Sequence, residues 1–324
     1  MGHTAEKWTS YADTRTGINP FLHDMSQKPR NALDKMIQYS LMLSILPARL
    51  MVRWSFFMYK KQSTFFSKLL PARASRPILW ALHTLVLRVY LALFGFYYID
   101  ARSVGKPKAS IVDRIAPDVE PGDLIIANRI SWTQILYLTF RFNPIYAFPA
   151  TDYTEVPATV PVKAVDFSEA VKLMSNNSPI ETKHCKPLSD VIYQSRQKGR
   201  CVVLFPEGCS TNGKGLLKFL PVLDSNITAV TPKRVLTMAF KIKDTKGLAW
   251  INTGFEKRSL GDRMTAESVA VQSMTVKAIE TLPVLTVDGQ WWADTRKVLA
   301  QSIQVPCMDL TVLDRKEFFK AYHS

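Results

Sequence analysis

Cysteine is scarce in this chain, and what there is lies scattered. Cys185, Cys201, Cys209 and Cys307 form no CxxC pair, and with the five histidines they show no metal-ligand spacing. That excludes a disulfide framework and a structural zinc site, and it fits reduced thiols on a cytosolic face. In such a compartment the sequons at Asn176 and Asn226 read as chance matches. A secretory leader is lacking too, because the first apolar run begins near Met36, behind a polar, charged segment. Disorder is excluded by a hydrophobic content of 47% over 324 residues, enough for one large domain and an appendage.

Acids are almost missing from one stretch. Between Lys28 and Lys108 fourteen Lys or Arg face only Asp34 and Asp100, so that 14 − 2 = +12 of the net +15 sits in the N-terminal third. The same third holds two long apolar runs, 36 to 59 and 78 to 98. The first is broken by Pro47 and carries Arg49 and Arg53; the second includes His83 and Arg88. Each has the ~20 residues needed to cross a bilayer, but a charge at the bilayer centre is costly. The linker "KKQSTFFSKLLPARASRP" adds five basic residues and no acid. This pattern suits an anionic cytosolic leaflet better than nucleic acid, which has no use for flanking greasy segments. Residues 36–98 are therefore expected to form a membrane-associated helical hairpin, interfacial or entering one leaflet, after an N-terminal segment 1–35. Aromatic clusters at Trp54, Phe56, Phe57 and Tyr59 and at Phe94, Phe96, Tyr97 and Tyr98 resemble interfacial belts.

From residue 99 to 324 short apolar runs alternate with amphipathic ones. Strands are expected over 123–127, 144–150, 201–205 and 234–243, and helices over 131–142, 188–199 and 314–323, with Gly199 ending the second. This alternation predicts an α/β domain with a mainly parallel sheet flanked by helices, whose sites lie beyond the carboxyl ends of strands. The loops after Ala127 and Phe205 are then natural partners.

The second of these loops is the more informative. "FPEGCSTNGKG" gathers an acid, small hydroxyl residues, an amide and a lysine directly after a strand. Its "GCSTNGKG" fits G-x-x-x-x-G-K, but Gly215 stands where a P-loop needs Ser or Thr, and Pro221 interrupts the helix that should follow. A nucleotide phosphate is the remoter alternative. An anionic acceptor with a free hydroxyl suits the loop as well: lysine and backbone amides favour the anion, and a carboxylate favours the hydroxyl.

"FPEGCSTNGK" resembles the PEGT block of glycerolipid acyltransferases. "EKWTSYADTRTGINPFL" and "LTVLDRKEFFKAY" resemble the two ends of a fungal branch, the lysophosphatidic acid:oleoyl-CoA acyltransferases of endoplasmic reticulum and lipid droplets. The resemblance implies phospholipid synthesis by lysophospholipid acylation, with acyl-CoA as co-substrate, no bound cofactor or metal, and membrane lipid as partner. It places Glu207 and Gly208 at the acceptor, with Ser210, Thr211, Asn212 and Lys214 as a polar wall. The family's base and its orienter occur within NHxSxxD; here the matching stretch is "NRISWTQ", so Asn128 and Ser131 fit while Arg129 and Gln134 replace His and Asp. Arginine stays protonated at neutral pH and is no general base. The catalytic residues are thus left unassigned, and a lipid-binding or regulatory protein on the same fold is the alternative. No Arg occurs between Phe142 and Ser195 to take the family's phosphate-binding role, which leaves Lys163, Lys172 or Lys183 as substitutes. His184 lies within the α/β part and could approach the site in space.

Overall fold

The computed structural model describes residues 9–22, isolated positions between 36 and 47, and residues 84–103, 119–176, 179–223, 232–244, 272–281 and 289–323. Its centre is a seven-stranded sheet of β1 (Tyr98–Ser103), β2 (Leu124–Ala127), β3 (Ile145–Pro149), β4 (Val162–Val165), β5 (Val202–Leu204), β6 (Val235–Asp244) and β7 (Gln272–Thr281). The strands are ordered β1-β7-β6-β2-β5-β3-β4. β2 lies parallel to both β5 and β6, β3 to β5, and β1 to β7, whereas β4 and β7 run antiparallel to β3 and β6. The sheet is thus mainly parallel, with helices α1 (Thr133–Phe142), α2 (Phe167–Asn176), α3 (Leu188–Gln197), α4 (Gly289–Ile303) and α5 (Val312–His323) around it.

Successive side chains on a strand point to opposite faces, so a strand covered on both faces must be apolar throughout. β2 shows this directly. Leu124 and Ile126 join Ala147, Val202 and Leu204 in a core beneath α3, α4 and α5, while Ile125 and Ala127 join Phe148, Val203 and Phe205 in a second core beneath α1 and α2. This continuous apolarity made β2, β3 and β5 recognisable as runs.

The N-terminal turn belongs to the first core: Phe21 is fully buried against Phe318 of α5, with ring centroids 5.9 Å apart. The helical run 84–93 belongs to the second, burying Leu87 and Leu91 while Leu85 and Val89 face outward. The aromatic cluster that follows it is divided. Phe94 stacks edge-on against Trp132 at 4.9 Å and Phe96 is buried, whereas Tyr97 and Tyr98 are exposed. Most of the expected hairpin over 36–98 lies outside the described residues. Among the described residues no helix is long and apolar enough to cross a membrane.

Candidate functional site

β2 and β5 are neighbours in register, with Ile126 opposite Leu204, so the segments after them emerge side by side at the carboxyl edge of the sheet. The loop after β2 is fixed first by Asn128. Its side-chain Nδ2 donates to Phe240 O at 2.9 Å and its Oδ1 accepts Phe240 N–H at 2.8 Å, which pins the strand end to β6. The chain then turns into α1. Gln134, fully buried, accepts the amides of Ile130 and Ser131 on Oε1 at 2.7 and 3.1 Å and donates from Nε2 to Asn128 O at 3.0 Å. These are helix-entry amides that nothing inside the helix can satisfy, so Gln134 performs the reach-back half of a capping arrangement. Ser131 Oγ accepts from the amide and hydroxyl of Thr133 at 3.4 and 3.2 Å.

Arg129 stands between the two loops. Its backbone N–H donates to Glu207 Oε1 at 2.7 Å. Its guanidinium turns to other partners: Nε donates to Ser210 Oγ at 3.1 Å, Nη1 to Gly208 O at 2.8 Å and Nη2 to Leu173 O at 3.0 Å, while the group lies 5.1 Å from the centre of the Phe148 ring. Burial lowers its pKa to about 10, which leaves it protonated at neutral pH. Glu207 is also fully buried, and its Oε2 accepts Leu217 N–H at 3.1 Å. Burial raises its pKa to about 7, against the pull of the Arg129 and Leu217 amides and of the Arg296 and Arg129 charges.

Gly208 follows with φ +73°, the left-handed region open to glycine, and an added Cβ would come within 2.9 Å of Leu220 Cδ1. The polar wall is used up in holding the loop together. Thr211 N–H donates to Arg129 O at 3.2 Å, and its Oγ1 accepts Gly213 N–H at 3.3 Å. Asn212 ties the loop to the N-terminal turn, with its backbone N–H on Pro20 O at 2.9 Å and Nδ2 on Asn19 O and Leu22 O, both at 3.0 Å. Lys214 is exposed. Gly215 is forced by crowding, since a Cβ there would lie 1.9 Å from Met308 Cε.

The two loops expected to cooperate are therefore joined, and Asn128, Arg129, Ser131, Gln134, Glu207, Gly208, Ser210, Thr211 and Asn212 form one buried cluster with Lys214 at its rim. Lys163 pairs with Glu169 at 2.6 Å, and Lys172 and Lys183 are exposed. His184 lines a groove with Asp166, Lys186, Gln194 and Lys198, a set that shares no residue with the Arg129 cluster. Sequence reading missed Arg296 of α4, whose Nε donates to Leu217 O at 2.8 Å and whose Nη2 donates to Leu216 O at 2.8 Å and to Met308 O. No motif marked it, because its partners are backbone carbonyls. All four cysteines are free thiols.

Comparison with known proteins gives this geometry its context. No family model matches the chain. A protein of the fission yeast Schizosaccharomyces pombe, named provisionally as a lysophosphatidic acid:oleoyl-CoA acyltransferase, is 27% identical over 227 residues, which covers 68% of each chain. The chain is similar to lysophosphatidic acid acyltransferases. The resemblance read from the Glu207 block is thus borne out over two thirds of the chain. The 1-acyl-sn-glycerol-3-phosphate acyltransferases of Neisseria gonorrhoeae and Neisseria meningitidis are each 26% identical over 136 residues, or 42% of this chain and 50% of theirs. A solved structure, the 1-acyl-sn-glycerophosphate acyltransferase PlsC of Thermotoga maritima, matches with a TM-score of 0.47 at 13% identity, covering 83% of this chain and 97% of that one.

Proposed function

We propose that the protein transfers an acyl chain from coenzyme A to the free hydroxyl of a lysophospholipid, converting lysophosphatidate to phosphatidate, on the cytosolic face of endoplasmic reticulum or lipid droplet. The hydroxyl oxygen bonds to the acyl carbon, the thioester C–S bond breaks, and the hydroxyl proton ends on the coenzyme thiolate. The observation that carries this reading is the hydrogen bond between Arg129 N–H and Glu207, which unites the two loops that the lysophosphatidic acid acyltransferase resemblance assigns to acceptor and chemistry. The names of the acyltransferase relatives point the same way. Because Arg129 is protonated at neutral pH, it takes no proton from the acceptor; the rate rests on alignment of thioester and hydroxyl.

Attachment through residues 36–98 belongs to the same reading. Leu85, Val89, Tyr97 and Tyr98 are exposed around the described end of that segment, and the surrounding sequence is strongly basic. Deleting 36–83 is expected to move the protein from floated anionic vesicles to the soluble fraction.

One observation favours a second reading, a lysophospholipid-binding or regulatory protein without turnover. Both positions that differ from the NHxSxxD pattern, Arg129 and Gln134, have their polar atoms engaged by the protein itself. Labelled oleoyl-CoA and lysophosphatidate incubated with the purified full-length protein separate the two. Labelled phosphatidate above the no-protein background supports the acyltransferase. Lysophosphatidate binding without product supports the binding protein, and neither binding nor product removes both readings.

A further inference from the structure

We propose that Arg296, on α4, is a positioning residue for the Glu207 carboxylate, acting through a single peptide group. That group joins Leu216 to Leu217. Its carbonyl accepts Arg296 Nη2–H at 2.8 Å, and its N–H donates to Glu207 Oε2 at 3.1 Å. No peptide bond among the described residues is cis, so the carbonyl and the N–H of this unit point in opposite directions. Guanidinium, peptide and carboxylate therefore form one chain of donors and acceptors. A cation on the carbonyl polarises the peptide and strengthens the N–H as a donor at the far end. The alignment also has mechanical support. Arg296 Nε holds the next carbonyl, Leu217 O, at 2.8 Å; Met308 N–H binds Leu216 O at 2.9 Å; and Trp292, one turn earlier on α4, donates from Nε1 to Leu220 O at 3.0 Å. From the opposite side Pro206 O accepts Leu220 N–H at 2.9 Å. The segment 216–220 is thus a strut whose carbonyls at 216, 217 and 220 are held by α4 and whose amides at 217 and 220 are held by Glu207 and Pro206.

The arrangement suits orientation better than simple attachment. Arg296 reaches no carboxyl oxygen of Glu207 directly, yet its charge favours the ionised carboxylate ahead of that of Arg129. The charged and titratable groups bearing on Glu207 are Arg129 from the loop after β2, Arg296 from α4 and Cys209 on its own loop, with Arg315 of α5 beyond Cys209. Removing the Arg296 fork takes away one of the two cations that favour the carboxylate and withdraws the charged donor from Leu216 O that strengthens the Leu217 amide, and both changes favour the protonated acid.

The importance of this positioning for acceptor binding rests on the reading that Glu207 serves the acceptor, so the test uses no lipid. Full-length protein labelled with 13C at glutamate carboxyls is titrated by NMR, with the Glu207 resonance identified by its loss in Glu207→Gln. The wild-type midpoint is expected near 7. Arg296→Gln is expected to raise it by about half a unit or more, and Arg296→Lys, which keeps the charge without the fork, to raise it by less. Should Arg296→Gln fail to fold, Arg296→Lys carries the test. Folded variants that titrate at the wild-type midpoint overturn the proposal. A separate measurement that finds lysophosphatidate binding unchanged in a variant whose midpoint has shifted overturns the functional reading instead.

Discussion

Arg129 presents its backbone N–H to Glu207 and its guanidinium to Ser210, Gly208 and Leu173, so one residue spans both loops by using two different groups. Its side chain is a buried cross-brace. Arg129→Ala leaves the buried Gly208 carbonyl and the part-buried Leu173 carbonyl short of a donor and opens a cavity, for which a loss of about 3 kcal/mol is expected in denaturant unfolding. A side chain that merely awaited a phosphate would give no such loss.

Gln134 supplies a similar test at the entry to α1. Gln134→Ala strands the buried amides of Ile130 and Ser131, at a cost of about 1–3 kcal/mol. Gln134→Glu keeps the oxygen that accepts both amides but loses the Nε2 donation to Asn128 O, so it is expected to fall between Gln134→Ala and the wild type in thermal unfolding.

Glu207 makes stability depend on pH in a direction unlike that of a salt-bridged carboxylate. Its folded pKa is raised, from an ordinary value of 4.5 to about 7, so between those values the folded chain holds a proton that the unfolded chain has lost. Stability contributed at this position therefore falls as pH rises from 4.5 to about 7 and is level above that, by about 3 kcal/mol in total. Unfolding of Glu207→Gln measured across this window is expected to show a flatter pH dependence than the wild type.

Lys214 is expected to act on binding alone. It is exposed, and its backbone N–H donates to Asn212 Oδ1 at 3.0 Å. Lys214→Ala should leave the melting temperature unchanged and weaken phosphate-bearing lysophospholipids more than neutral ones, by about tenfold at low salt. Equal weakening of both classes would place the lysine outside the phosphate site.

Phe21 tests the N-terminal turn. It is fully buried against Phe318, and Asn212 grips the turn around it. Phe21→Ala is expected to destabilise the domain by about 3–5 kcal/mol and to speed proteolysis within the Glu207 loop.

The parts of the fold that could be read in the sequence are those whose cause is local. β2, β3 and β5 announce themselves by apolar runs because both their faces are covered, and Gly199, at φ +65°, ends its helix where expected. β7 was missed although Met274, Val276 and Ala278 alternate with half-buried positions, a signal of period two diluted by its polar partners. β4 is four residues long, too short for periodicity to register. At the site the meeting of the two loops was legible from topology, but its closure was not. Glu207 is satisfied by backbone amides, and Asn212 and Arg296 bind backbone carbonyls, and every residue type carries these groups alike. The N-terminal turn joins through contacts that no local pattern encodes.

The walls of the Glu207 loop come from opposite ends of the chain. Asp309 N–H reaches Asp13 at 3.0 Å, Met308 N–H donates to Leu216 O while Leu216 N–H donates to Pro306 O, and Asn212 holds the turn at Asn19. A ribosome makes the Asn19 turn long before it makes Met308 and Asp309. At about 5–20 residues per second the Asn19 turn waits on the order of tens of seconds for its counterpart. During that interval Phe21 and the apolar strands have no α5 to cover them. The nascent chain therefore has its greatest need of a chaperone or of a nearby membrane surface before release, and a ribosome stalled ahead of Arg296 would hold a sheet without a finished site.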